Sequence, residues 1–128
     1  MNKEIFKSDR DFIVFDYLVS HGQLLIRSDK RKGGNENIDV IFFDTSFVQL
    51  FTMMSGITIR LVNNDAIEHY NSVKKYLGYK GNNLFELESK QEKYYIGASF
   101  VKIFENVLDF NETSLGNGLA GKKIAESC

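Results

Sequence analysis

Apolar residues along this chain recur with the two-residue period of strands far more often than with the 3.6-residue period of helices. The densest stretch runs from Asn37 to Val62. Ile38, Val40 and Phe42 alternate with Asp39, Ile41 and Phe43 before Asp44; Phe47, Val48, Leu50 and Phe51 follow, and Gly56 opens a second run through Ile57, Ile59, Leu61 and Val62. Branched and aromatic side chains fit a pleated, half-buried surface, so this segment is expected to form the middle of a sheet. Before it, Asp11 to Ser20 alternates as a first strand, Ser20-His21-Gly22-Gln23 makes a tight turn, and Leu24-Leu25-Ile26 returns. Residues Ser28 to Glu36 then form a polar surface loop containing Lys30, Arg31 and Lys32.

One stretch changes period. Asp65 can cap a helix with Glu68 three residues on, and Ala66, Tyr70, Val73 and Leu77 share a narrow arc, so an amphipathic helix is expected over 66–77, stopped at Gly78. Leu84 to Glu88 and Tyr94 to Ile96 read as strands around a polar turn, Ser89-Lys90-Gln91-Glu92, the second continuing towards Glu105 with a bulge at Gly97. From Asn111 the density of large apolar residues falls, so 111–128 reads as a glycine-rich tail, with at most a short helix over 122–127. The expected fold is a single α+β domain over 1–128: a mainly antiparallel, curved sheet of six to eight strands packed by one helix.

A length of 128 residues suits one core. Sixteen basic against seventeen acidic residues give a net charge of −1, which offers no general attraction to nucleic acid or to an anionic membrane. The charged start, Met1 to Arg10, lacks the apolar core of a signal peptide, and no run suits a membrane span, so a cytoplasmic setting is expected. With Cys128 as the single cysteine, neither an internal disulfide nor a thiolate zinc site can be assembled.

Candidate chemistry is sparse. Gly116-Asn117-Gly118-Leu119-Ala120-Gly121-Lys122-Lys123 has the glycine spacing of a phosphate loop, but Lys123 stands where a Ser or Thr would hold magnesium and too few residues follow for the required helix. No nucleotide, metal or other cofactor is therefore expected. His21 and His69 lack metal-ligand spacing. Asp16, Asp39 and Asp44 interrupt apolar strands, where an unpaired carboxylate is costly to bury, so they either face water or block edge pairing; two of them meeting would make an acid–base pair. Seventeen Phe and Tyr residues exceed what a small core commonly needs, which points to an exposed aromatic surface, with Tyr17, Tyr70, Tyr76, Tyr79, Tyr94 and Tyr95 as candidates.

In size and texture the chain is similar to small bacterial immunity-type proteins, which neutralise a toxin by binding it. The expected function is a protein-binding module without catalysis, immunity-like or self-associating as a homo-oligomer. The alternative is a small-molecule binder or enzyme with a site in the concave sheet face beneath the helix, where His69 or Tyr70 would meet Asp39 or Asp44.

Overall fold

The computed structural model describes residues 2–32, 34–63, 81–116 and 120–127. Across them run nine strands: β1 (Lys3–Leu18), β2 (Gln23–Ser28), β3 (Asn37–Phe43), β4 (Phe47–Gln49), β5 (Met53–Leu61), β6 (Asn83–Ser89), β7 (Glu92–Ala98), β8 (Phe100–Asn106) and β9 (Lys122–Glu126). All pair antiparallel in one sheet, in the order β4-β7-β6-β5-β1-β2-β3-β8-β9.

This corrects the expected α+β class. Strands make up 64% and helical turns 5% of the described residues, and none of their helices reaches seven residues. The helical turns are short 3-10 segments at Val19–His21 and Lys30–Lys32. The helix expected over 66–77 lies outside the described residues. The antiparallel sheet fits the expectation, with nine strands in place of six to eight. The additional strand residues come from three places where apolar alternation is weak. The charged start from Lys3 is the first half of β1, β4 is only three residues long, and Lys122–Glu126 forms β9 where a short helix was expected. In each, backbone pairing to a stronger neighbour supplies the order that side-chain pattern does not.

Two bent arms shape the sheet. The sixteen-residue β1 pairs with β5 from Lys3 to Ile13 and with β2 from Ile13 to Leu18. On the far side, β3 and β4 are separated only by Asp44, Thr45 and Ser46, and β7 and β8 only by Ser99. Across that corner Ser99 N donates to Phe43 O at 2.9 Å and Ser46 N to Gly97 O at 2.8 Å. The β3–β8 ladder thus runs on into the β4–β7 ladder, and the sheet curls closed. Asp44 makes the corner with φ +53°, a left-handed conformation that Asp adopts more readily than most residues.

The inner face is the core. Ile38, Val40 and Phe42 of β3 point inward with Phe12, Ile26, Ile59, Phe85, Leu87, Ile96, Val101 and Ile103. Phe42 and Phe85 stand four strands apart in the sheet order, yet their rings meet edge-to-face at 5.6 Å across the interior. Burying each such side chain contributes about 1.5–3 kcal/mol. The opposite face of β3 carries Asn37, Asp39, Ile41 and Phe43. Here Leu25 and Ile41 pack against Leu115, with Phe15, Leu18, Phe104 and Ala120 around them. Residues after β8 therefore lie over the outside of the sheet before β9 pairs with β8. Leu115 is 5% exposed, so this part of the glycine-rich segment contributes to a second small apolar cluster.

Candidate binding cleft

Asp39, expected as an exposed or acid–base carboxylate, is fully buried in an ion pair. It faces Arg27 across the β2–β3 register, with Nε to Oδ1 at 2.7 Å and Nη2 to Oδ2 at 2.9 Å. Arg27 also donates through Nη1 to Glu112 O at 2.6 Å, and its guanidinium lies 4.1 Å from the centre of the Phe15 ring. Asn106 Nδ2 donates to Asp39 Oδ2 at 2.8 Å and to Ala120 O at 3.0 Å, while Asn37 Nδ2 donates to Asn106 Oδ1 at 2.8 Å and to Leu108 O at 2.9 Å. The network pins the segment after β8 onto the sheet. A carboxylate engaged on both oxygens by a guanidinium and an amide is a structural group, not a poised base.

Those of the other sequence candidates that are described do not gather around it. Asp44 is exposed at the corner, where its Oδ2 accepts from Ser99 Oγ at 3.1 Å and its carbonyl accepts from Asn82. Asp16 Oδ1 accepts from Tyr17 N at 2.8 Å. His21 is exposed with Nδ1 2.8 Å from Ser20 Oγ. His69 and Tyr70 lie outside the described residues, as do Tyr76 and Tyr79. Among the described residues no group of three or more His, Cys, Asp or Glu side chains could hold a metal ion. Gly121 is followed directly by strand β9, so the glycine motif leads into no helix N-terminus. The concave face proposed for a ligand is filled by the core itself.

Two clefts lie where β1 is irregular. Ser8 pairs with Ile57 and Asp11 with Ser55, so Asp9 and Arg10 together oppose the single residue Gly56, whose φ is +72°. Such a bulge re-aims the side chains around it. Arg10 reaches across to the end of β2, donating through Nε to Ser28 Oγ at 3.0 Å and through Nη2 to the carbonyls of Ser28 (3.2 Å) and Asp29 (2.9 Å). One side of the bulge holds an open polar cleft of about 440 Å³ lined by Lys7, Asp9, Arg60 and Glu88 among others. Arg60 Nη1 bonds Glu86 at 2.9 Å and Glu88 at 2.6 Å, which raises the Arg60 pKa and lowers that of Glu88.

On the other side is a cleft of about 420 Å³ whose apolar wall is Phe12, Ile13, Met53, Met54 and Phe110. Asp11, Asp29, Arg31, Ser89 and Lys90 stand among the polar groups at its edge. Arg31 stacks 4.6 Å from the centre of the Phe110 ring and donates through Nε to Asp29 Oδ1 at 2.8 Å, a hydrogen bond that holds the Asp29 carboxyl below its ordinary pKa. Met53 is 73% exposed and Phe110 58%. Phe51, two residues before Met53, is 67% exposed and leans on Tyr94 with ring centres 5.3 Å apart.

The β6–β7 turn borders both clefts. Ser89 pairs with Glu92, leaving Lys90 at φ +49° and Gln91 at φ +70° as a two-residue connection. Two successive positive φ values are the geometry that Asn-Gly usually supplies, so both side chains are held under strain.

Asp39's burial cost was visible in the sequence; its partner Arg27 was not. Of the tyrosines singled out, Tyr17 is 44% exposed, but the large apolar side chains at the cleft are Met53 and Phe110. Their available signal was the Phe51-Thr52-Met53-Met54 stretch, three large apolar residues in four at a strand boundary, and the isolated Phe110 beyond the last strong strand. Compared with protein-family models, curated proteins and solved structures, the chain matches none.

Proposed function

We propose that this protein acts by binding another protein, or a second copy of itself, without catalysing a reaction, and that the contact surface is the rim formed by Phe51, Met53 and Phe110. The observation that carries this reading is their exposure, between 58% and 73% each. Covering a side chain of this kind is worth about 1.5–3 kcal/mol, a gain the fold leaves unused. Methionine suits such a rim because its flexible thioether adapts to different partner shapes. Arg31, its guanidinium 4.6 Å from the centre of the Phe110 ring, adds a cation over the apolar surface, and Arg and aromatic residues are enriched at the centres of interfaces. An immunity-like role, blocking a toxin by covering it, is one form of this reading. Among the described residues, no helix is long and apolar enough to cross a membrane.

Light scattering and capture on immobilised protein test it together. Wild-type protein is expected either to self-associate or to retain a specific protein from native lysate, and Met53→Lys to abolish that behaviour with an unchanged melting temperature. A strictly monomeric protein that retains the same material as Met53→Lys would overturn the reading.

A further inference from the structure

We propose that the partner of the rim is a second copy of this chain, docked through a two-fold contact in which the Asp11 carboxylate of each copy meets the Lys90 ammonium of the other on either side of Met53. The inference rests on the rim reading above and names its occupant. Placement is the first support. Asp11 pairs with Ser55 across the β1–β5 ladder, and Ser89, the residue before Lys90, donates through Oγ to Ser55 O at 3.1 Å. Asp11 and the Lys90 turn therefore flank β5 on opposite sides at the level of Ser55. Met53 lies two residues along and, like Ser55, is exposed, because alternate residues of a strand share a face.

The occupant follows from the charges left over. Along the apolar cleft Arg27 is held by Asp39 and Asp29 by Arg31, so those charges cancel in pairs. Asp11, exposed, accepts from the neutral Ser55 hydroxyl at 2.8 Å and keeps its negative charge. Lys90, also exposed, makes no hydrogen bond or ion pair among the described residues. The cleft lining thus carries one uncompensated anion and one uncompensated cation, with no surplus of either sign to select an acidic or a basic partner. What complements that order is the reverse order, which is the same patch turned through half a rotation about an axis along β5. Rotation about the perpendicular axis in the plane of the contact would set carboxylate on carboxylate and ammonium on ammonium. Contacts that join one patch to its own copy in this way are the commonest form of self-association. The four-carbon stem of Lys90 lets its ammonium reach a facing carboxylate, and Met53, near the axis, packs on its counterpart through a thioether that adapts its shape.

The test follows the full chain by sedimentation equilibrium over a dilution series at low salt. Wild-type protein is expected to show a reversible monomer–dimer equilibrium. Asp11→Lys and Lys90→Asp each replace two opposite-charge contacts with two like-charge ones, so each alone should weaken dimerisation about tenfold with an unchanged melting temperature. An equimolar mixture of the two variants should recover wild-type affinity as a heterodimer, seen by native mass spectrometry, because one copy then brings two carboxylates to the other's two ammonium groups. A chain that stays monomeric to its solubility limit, a dimer indifferent to both reversals, or a mixture no tighter than either variant alone would each overturn the proposal. If that monomer still retains a different protein through Met53, the second copy is excluded as occupant while the rim reading stands. A dimer that follows the charges but ignores Met53→Lys would overturn the rim reading and leave the pairing of Asp11 with Lys90 in place.

Discussion

Arg27 and Asp39 form a bidentate pair at 1% and 0% exposure, and the asymmetry of such pairs sets their behaviour in mutants. Two charges withdrawn from water contribute little net stability, but removing one leaves the other buried and uncompensated. Asp39→Ala is therefore expected to lower unfolding free energy by about 3–5 kcal/mol in urea denaturation, and the double variant Arg27→Met/Asp39→Leu to lose much less than the sum of the single changes. Additive losses would contradict the pairing. Asp29 and Glu88 act at the surface through pH. Arg31 and Arg60 hold their pKa values below the ordinary 3.8 and 4.5, so at acid pH the unfolded chain binds more protons there. The stability they contribute is complete above those ordinary values and is lost as pH falls through the lower folded ones. The urea midpoint should be flat above about pH 5 and decline below about pH 4, with Glu88→Gln shallower in its decline. At this scale the sequence made the cost of burying Asp39 unpaired legible, but the expectation drawn from it, a carboxylate facing water or blocking edge pairing, is overturned by its full burial against Arg27. The sequence did not reveal Arg27, since the partner depends on the β2–β3 register and hence on how the Ser28–Glu36 connection is spent.

Strained connections, more than strand propensity, distinguish the elements. Gln91 sits at φ +70° in the β6–β7 turn. Replacing it with glycine relieves the left-handed strain but frees the unfolded chain, and the balance predicts that Gln91→Gly stabilises by about 0.5–1 kcal/mol, read by thermal or urea unfolding. A loss of stability would show that the Gln91 side chain is needed. At the start of β9, Gly121 has φ +98°, and a Cβ there would lie 2.3 Å from Glu105 O. Gly121→Ala is expected to cost more than about 1 kcal/mol and to speed amide exchange in β9 and the facing edge of β8, because the strand is paired only to β8 in the sheet order. Unchanged exchange there would mean that β9 is held by other contacts. The alternation of Ile38, Val40 and Phe42 and the polar Ser89–Glu92 turn were readable because local pattern determines them. The charged first half of β1 and the Lys-rich β9 were not, since each is a strand through the neighbour that pairs with it.

Closure of the sheet leaves little unclaimed surface inside, so the apolar exposure of the described residues lies outside. The β3–β8 ladder runs into β4–β7, the interior is filled from Phe12 to Ile103, and residues after β8 lie over part of the outer face. Of the exposed large apolar side chains described, Met53 and Phe110 share the cleft beside the β1 bulge and Phe51 lies two residues before Met53, whereas Val19, at 81%, is exposed on the β1–β2 turn. The excess of aromatic residues in the sequence raised the expectation of exposed tyrosines, whereas the aromatic rings exposed at and beside the cleft are Phe110 and Phe51. The position of the rim did not follow, because Phe110 and Met53 are 57 residues apart in sequence and come together only through the bend of β1 and the course of the chain after β8. The proposal that this rim is where a partner protein docks is tested most directly by photo-cross-linking in the native cell. With Met53→p-benzoylphenylalanine, irradiation should give one discrete protein adduct that Phe110→Ser abolishes, and Val19→p-benzoylphenylalanine on the distant β1–β2 turn should give none. No adduct from position 53, or the same adducts from both positions, would contradict it.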